Sequence, residues 1–187
     1  MNFIAIVILI ALLFDFALNR FADHLNLTRL QDHLPREFEG VYDPERYRKS
    51  QEYLRANTHF AWVTASFDLI VLLAFWFGKG FPLLDEGVRA LNFGPIICGL
   101  IYMAALVLFK ALISLPFGIY HTFVIEERFG FNQTTRATYF LDLLKGLILA
   151  ILLGTPLLAG ILAFFEYAGA NAWWLCWIAV TLYMLGV

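Results

Sequence analysis

The most chemically suggestive stretch of the sequence is a compact charged group, Glu126-Glu127-Arg128. Two neighbouring carboxyl groups can act as the acid and the base of a hydrolase. The other interpretation is a solvated charge cluster, in which the acids pair with Arg128 or Arg136. We favour the charge cluster.

Histidine and cysteine side chains could bind a metal or form a disulfide, and the chain has four histidines and two cysteines. His59 and His121 are predicted to be interfacial or hydrogen-bonded residues rather than metal ligands. Cys98 and Cys176 lie in apolar segments, where packing is the simpler role, although an oxidising compartment would permit a disulfide. The sequence has no Gly-rich phosphate loop and no Gly-x-Ser-x-Gly motif.

Three charged residues, Asp15, Asp68 and Lys110, interrupt otherwise apolar segments. Ionisable residues inside a membrane span are functional-site candidates by default. Asp68 and Lys110 lie at similar depths in consecutive antiparallel segments, roughly 10–12 Å from the same end at about 1.5 Å per residue. We therefore predict that they form a structural pair inside the membrane. The alternatives are that Lys110 snorkels to the interface and that Asp68 faces a watery cavity.

The composition explains why these charges matter. Hydrophobic residues make up 61% of the chain, charged residues 15%, and the mean hydropathy is +0.73. Soluble domains are about 45–50% apolar and about 25% charged, so this chain is neither an ordinary soluble domain nor a disordered one. The net charge of −2 gives no basic excess for binding nucleic acid.

Apolar segments recur along the chain and predict an all-α, polytopic membrane bundle with about five transmembrane helices in a lipid bilayer. The predicted spans are residues 3–19, 60–77, 96–115, 141–165 and 172–187. The last segment is still apolar at Val187 and shorter than the roughly 20 residues needed to cross a bilayer. We therefore expect the chain to be cut within or just after this span.

The loops carry helix signals of their own. Asp43-Pro44-Glu45 reads as an N-cap, a first-turn proline and a first-turn acid, and no Gly or Pro follows before Gly78. This predicts a helix from Pro44 to Phe77, roughly 50 Å long at about 1.5 Å per residue, projecting from the bilayer into the cytoplasm. Tyr47, Leu54 and Ala61 share one face of it.

The third loop is predicted to form an interfacial helix after Pro116, a tight turn and then the fourth span. Gly130 fits the C-cap of the interfacial helix, and Thr134 or Thr135 fits the next N-cap.

Basic residues near the span ends predict the orientation of a membrane protein. Loop 20–59 contains seven of them, whereas residues 78–95 contain only Lys79 and Arg89. The seven are Arg20, Arg29, Arg36, Arg46, Arg48, Lys49 and Arg55. We expect loops 20–59 and 116–140 in the cytoplasm and the N-terminus outside, in a plasma, inner or endoplasmic reticulum membrane.

Two stretches of the sequence resemble one known family. The first runs from Leu34-Pro35-Arg36-Glu37-Phe38 to Tyr47-Arg48-Lys49-Ser50-Gln51-Glu52-Tyr53 and Phe60. The second comprises Leu115-Pro116-Phe117, Tyr120, residues 122–132 and Thr134, followed by Asp142 and Lys145. Together they resemble the CAAX prenyl protease type 1 family of integral-membrane zinc metalloendopeptidases. The resemblance marks eight signature residues without giving their roles: Glu126, Glu127, Gly130, Phe131, Asn132, Thr134, Asp142 and Lys145.

The resemblance stops short of the family's catalytic motif. That motif, His-Glu-x-x-His, puts two zinc ligands on one helix face with a general base beside the bound water. None of the four histidines, His24, His33, His59 and His121, begins such a motif. The resemblance therefore implies an N-terminal membrane domain with no catalytic and no metal-binding residue of its own. Zinc is expected in the full-length protein, bound by a C-terminal part.

The family resemblance implies that this domain walls an intramembrane chamber for proteolysis of peptide or membrane-protein substrates and is inactive alone. One alternative is a non-catalytic membrane adaptor. The other is a small transporter, suggested by the intramembrane charges, although the paired internal repeats common in transporters are not evident. A reading frame that continues past Val187 into His-Glu-x-x-His would favour the protease.

The predicted Asp68–Lys110 pair is testable by charge removal. A lone charge at a helix centre costs about 2.5–3.5 kcal/mol on insertion scales, and pairing offsets that cost. Asp68→Asn and Lys110→Met should each lower the melting temperature in detergent, and the double variant should recover part of the loss. Strictly additive losses would show that the two charges are satisfied separately.

Overall fold

The computed structural model describes residues 2–31, 33, 34, 40, 41 and 43–186. Six helices, α1 to α6, account for most of this part of the chain, and no strand occurs in it. They are, in order, Phe3–Thr28, Pro44–Phe77, Gly80–Arg89, Pro95–Phe129, Arg136–Ala168 and Ala172–Gly186. The predicted helical bundle is confirmed. Residues 35–38 of the first family-like stretch, and Val187 at the end of the last predicted span, lie outside the described residues.

Four helices, α1, α2, α4 and α5, are long and apolar enough to cross a membrane. Helix α6 is apolar but shorter, with 15 residues. Inside a bilayer no water can satisfy free backbone N–H and C=O groups, so an unbroken helix is the favoured conformation for these segments.

The long helix α2 has the limits that the sequence predicts. It comprises 34 residues, and the Asp43 Oδ1 accepts a hydrogen bond from the Glu45 backbone N–H at 3.0 Å. At the other end, the Gly78 N–H still bonds the carbonyl of Ala74, after which Lys79 adopts a left-handed φ of 59° and turns the chain away.

The segment after this turn forms a helix that the sequence analysis did not predict. Helix α3 begins at Gly80, and Pro82 lies in its first turn, where a proline's missing N–H costs no hydrogen bond. The Arg89 Nε donates to the Asp85 Oδ2 at 2.7 Å one turn earlier, and Val88 is buried.

Helix α4 corrects the prediction that a separate interfacial helix follows Pro116. The helix passes through Pro116, is α-helical to Tyr120, widens into a π-helical turn over His121–Glu126 and ends at Phe129. A proline removes one hydrogen bond of a helix, and the others suffice to continue it where neighbouring elements hold both sides. The predicted loop 116–140 is therefore helical for its first half.

The predicted caps of this region are both present. Gly130 has a left-handed φ of 72° directly after Phe129. Thr135, rather than Thr134, caps α5, because its side-chain oxygen accepts the Thr138 backbone N–H at 3.1 Å.

The chain divides into two compact units, the first comprising residues 1–73 and 117–132 and the second residues 74–116 and 133–187. In the first unit, a hydrogen bond from Trp62 of α2 to Asp23, which also pairs with Arg20 within α1, joins the two helices. The Asp23 Oδ2 lies 3.2 Å from the Arg20 Nη2 and accepts a hydrogen bond from the Trp62 Nε1 at 3.0 Å. The Arg20 guanidinium also lies over the rings of Phe16 and Trp62.

In the second unit, α4 and α5 approach closely at Gly99. A Cβ placed on Gly99 would lie 2.8 Å from the Leu162 Cδ1, which is closer than packed carbon atoms come. The two cysteines of this unit, Cys98 and Cys176, are both free, and the Cys98 thiol points to the carbonyl of Phe93 at 3.3 Å.

We expect Gly99→Val to lower the melting temperature in detergent, because overpacking a tight contact costs about 1–3 kcal/mol. Gly146→Val is the matched control, since Gly146 is also in a membrane helix and a Cβ there meets nothing within 4 Å. Equal melting temperatures for the two variants would show that Leu162 moves aside without cost.

Candidate functional site

The two family-like stretches meet in the first unit, where residues 120–132, called here the signature segment, pack on the N-terminal half of α2. Ile125 and Phe129 are buried in this contact, with 7% and 6% exposure. The Tyr53 ring of α2 lies edge-on to the Phe129 ring at 5.4 Å and tilted against the Phe131 ring at 4.6 Å. The signature segment is thus held by aromatic packing.

Two turns further along α2, Phe60 continues this aromatic contact. Its ring stacks on the Tyr120 ring at 5.4 Å and lies 5.8 Å from the imidazole of His121. Phe117 lies 6.3 Å from Phe60 and 4.9 Å from Phe67, which carries the contact to the apolar half of α2.

The face of α2 that makes these contacts differs from the one suggested by seven-residue spacing. Tyr53, Asn57 and Phe60 face the signature segment, whereas Leu54 and Ala61 are exposed. The sequence contained a signal for the correct face, since these three residues follow helical i, i+4, i+7 spacing. Several faces of α2 carry apolar residues, so that periodicity alone could not select among them.

A series of polar side-chain contacts, from Asn57 through His121 to Glu126, crosses the same interface. Asn57 Oδ1 can only accept, so the His121 Nε2 donates to it, at 3.0 Å. On the other side of the ring, the His121 Nδ1 lies 3.6 Å from the Glu126 Oε1. His121 is therefore a hydrogen-bonded residue, as the sequence analysis predicted, and it bridges α2 to the π-helical turn.

Gly130 closes α4 in a Schellman arrangement. The Phe131 N–H bonds the carbonyl of Glu126 at 2.9 Å, and the Gly130 N–H bonds the carbonyl of Glu127 at 3.0 Å. The left-handed conformation at Gly130 reverses the chain and brings Phe131 back onto Tyr53. Of the signature residues, Gly130 and Phe131 thus have structural roles.

The two neighbouring carboxylates, Glu126 and Glu127, point to different partners. Glu126 faces His121, and the Glu127 Oε2 accepts a hydrogen bond from the Asn132 side-chain amide at 2.8 Å. Within the described part of the chain, these partners take the place of the predicted arginines. Arg128 lies instead over the Phe129 ring, at 5.6 Å from its centroid. The arrangement is a charge cluster with separated acids and not a pair that shares a proton.

The remaining signature residues lie at the start of α5. Thr134 is partly buried immediately before the capping residue Thr135. Asp142 and Lys145 form an exposed ion pair at 3.1 Å, one helical turn apart. Such surface pairs contribute about 0–1 kcal/mol, so this pair has little weight in stability.

The three intramembrane charges lie on membrane helices. Asp15 is exposed on α1, Asp68 is partly buried on α2, and Lys110 is exposed on α4. The pairing of Asp68 with Lys110 stays a prediction. Among residues 2–31, 33, 34, 40, 41 and 43–186, no three His, Cys, Asp or Glu side chains come together as a metal site.

The signature segment and the part of α2 that it contacts lie within a stretch that matches a known protein family. Residues 23–187 match the family model described as CAAX prenyl protease N-terminal, five membrane helices. The chain belongs to this family.

Relatives of this family come from plants, fungi and animals. The chain is 32% identical over 145 residues to the CAAX prenyl protease 1 homolog of Arabidopsis thaliana. This match covers 73% of this chain and 34% of the relative. It is 29% identical over 164 residues to CAAX prenyl protease 1 of Saccharomyces cerevisiae, and this match covers 82% of this chain and 36% of the relative. It is 30% identical over 154 residues to the CAAX prenyl protease 1 homolog of Homo sapiens, and this match covers 78% of this chain and 32% of the relative. The chain thus spans about one third of the length of these relatives.

A solved structure shares the fold. The crystal structure of S. mikatae Ste24p matches with a TM-score of 0.80 at 26% identity, over 94% of this chain and 42% of that chain. The chain is therefore an N-terminal membrane domain of the CAAX prenyl protease family and a multi-pass membrane protein.

The aromatic contact at Tyr53 gives a test with a built-in control. Both Phe129 and Phe131 touch the Tyr53 ring, but Phe129 is 6% exposed and Phe131 51%. Phe129→Ala should cost about 3–5 kcal/mol of stability, as for other buried Phe→Ala changes. Phe131→Ala should cost about 0.5–1.5 kcal/mol, the value of an aromatic pair. Thermal melting in detergent measures both stability losses. Equal losses would mean that the contact between the signature segment and α2 does not bury Phe129.

Proposed function

We propose that this chain is the N-terminal membrane domain of a zinc-dependent metalloendopeptidase, with its helices walling an intramembrane chamber in which peptide or membrane-protein substrates are cleaved. The observation that carries the proposal is the family match over residues 23–187, supported by the fold shared with S. mikatae Ste24p. The names of the relatives make C-terminally prenylated CAAX peptides the first substrate class to test.

The part of the chain that the structure describes does not fit a zinc site. Its four histidines fall outside a His-Glu-x-x-His motif, and the described residues contain no cluster of three possible ligands. We therefore place the zinc ligands and the general base in a C-terminal part of the same protein, within the roughly two thirds of each relative's length that this chain does not span. That part is the main partner of this domain.

In this proposal, the domain contributes position rather than chemistry. Apolar helices exclude water from the chamber, and an enclosed site strengthens the electrostatic interactions inside it. The Tyr53–Phe129 contact and the Asn57–His121 hydrogen bond support the proposal, because they fix the end of α4 on α2 in a single arrangement. A rigid wall is what a catalytic part needs to dock against.

The proposal predicts that the isolated chain neither binds a stoichiometric catalytic zinc nor cleaves peptide, because it lacks the paired histidines and the base. Purified chain in detergent should hold far less than one zinc per molecule by elemental analysis and show no chelator-sensitive cleavage of a farnesylated CAAX peptide. Joining residues 1–187 to the C-terminal part of the S. cerevisiae relative should restore both.

Two results distinguish the proposal from its rivals. Zinc-dependent cleavage by the isolated chain would show that the site lies within residues 1–187. A correctly inserted fusion that binds zinc but leaves every peptide intact would favour the non-catalytic adaptor.

We also propose that the N-terminal half of α2 and the signature segment lie in the cytoplasm. The support is the excess of basic residues in loop 20–59. In a variant with Cys98 and Cys176 replaced by serine, a cysteine introduced at Ser50 and one introduced at Gly87 should react with an impermeant thiol reagent from opposite sides of the membrane. Ser50 and Gly87 are both exposed, so reagent access is not limiting. Labelling of both from one side would reject this orientation.

A further inference from the structure

An apolar cleft of about 290 Å³ lies between α2 and the signature segment. Its walls are mostly aromatic and aliphatic, and two basic side chains stand among them. The residues that matter for its chemistry are His59, Phe60, Val63, Tyr120, Val124 and Arg128. Val63, Tyr120 and Val124 keep 59%, 50% and 45% of their surface exposed, so this protein unit does not fill the cleft.

The cleft lies where the polar and apolar parts of the helices meet. On α2, the polar N-terminal half ends at His59 and the apolar span begins at Phe60. On α4, the apolar run is followed by Tyr120 and then by the charged group at the helix end. A boundary of this kind between polar and apolar helix segments is expected at the headgroup region of a membrane.

Among the side chains that line the cleft, the guanidinium of Arg128 is the charged group, and none of them is a carboxylate. Arg128 is exposed, and its guanidinium contacts the Phe129 ring. The neighbouring acids are engaged elsewhere, Glu126 with His121 and Glu127 with the Asn132 amide. His59 lies 5.4 Å from the Trp62 ring and is also exposed. In the described part of the chain, no carboxylate forms an ion pair with Arg128.

We propose that this cleft binds one anionic phospholipid, with an acyl chain along Phe60 and Val63 and the phosphate against Arg128 and His59. The guanidinium group offers paired N–H donors that match a phosphate, and the imidazole offers a further donor. In the cytoplasmic orientation proposed above, the cleft faces a leaflet rich in anionic lipids, and a basic residue near it contributes about 1 kcal/mol of attraction. This site is independent of the proposed proteolysis, since it involves no zinc and no scissile bond.

The test measures which lipid the chain retains. The full chain is reconstituted into vesicles of equimolar phosphatidylcholine and phosphatidylglycerol with identical acyl chains, extracted in detergent, and the bound lipids are quantified by mass spectrometry. Wild type should retain phosphatidylglycerol in preference. Arg128→Gln should lower the ratio of phosphatidylglycerol to phosphatidylcholine about fivefold, the change that about 1 kcal/mol per basic residue produces.

Arg46→Gln is the matched control, because Arg46 is an exposed arginine of α2 outside the cleft. Its retained lipid ratio should equal that of wild type. A wild type without preference for the anionic lipid overturns the proposal. So does an Arg128→Gln ratio equal to that of wild type, or an equal fall in both arginine variants, since the charge effect would then be diffuse.

A second pair of variants keeps the test decisive if Arg128→Gln lowers folding. Val63→Trp fills the cleft and leaves the charges in place, so retained phosphatidylglycerol should fall severalfold. Ile70→Trp is its control, since Ile70 is 65% exposed on the apolar half of α2 away from the cleft. Unchanged phosphatidylglycerol in Val63→Trp, or equal falls in both tryptophan variants, would place the lipid elsewhere.

Discussion

The packing of Ile125 and Phe129 onto α2 supports the arrangement of the first unit. These are two of the four apolar residues that are buried in the described part of the chain, the others being Val88 and Ala172. The membrane helices otherwise turn their apolar surfaces outward, where lipid replaces the core of a soluble protein. The contact between the signature segment and α2 is therefore a place where the protein buries apolar side chains against itself, and it holds the segment that identifies the family.

The π-helical turn is what allows this packing. His121, Ile125 and Phe129 follow one another at intervals of four residues, and all three face α2. In a regular α-helix with 3.6 residues per turn, such a series rotates away from its partner. A π-turn holds more residues per turn and cancels the rotation, so the three side chains stay on one line. The Asn57–His121 bond then satisfies a polar ring inside an otherwise apolar contact.

In our proposal, the helices of this domain hold position and a separate part of the protein performs the chemistry. The signature residues that the structure explains have local structural roles: Gly130 reverses the chain, Phe131 returns to Tyr53, and Glu127 holds Asn132. The cleft beside them combines an apolar wall with the exposed Arg128. In our proposal, this cleft gives the same surface a second role, the binding of a lipid.

The sequence by itself determined the class of the protein, the limits of α2, the cap at Gly130, an N-cap at Thr134 or Thr135, and the family. Each of these depends on composition or on contacts within a few residues: Asp43 caps its own helix, and Gly130 adopts a left-handed backbone angle that glycine accepts without strain. Only the tertiary structure decided that α4 continues through Pro116, that the chain forms α3, and which face of α2 is covered. The reason is that a helix end is set by its local hydrogen bonds, whereas its packed face is set by the partner that covers it. Because α2 is apolar on several faces, periodicity does not distinguish them. The packing of Phe129 against Tyr53 determines which face is covered.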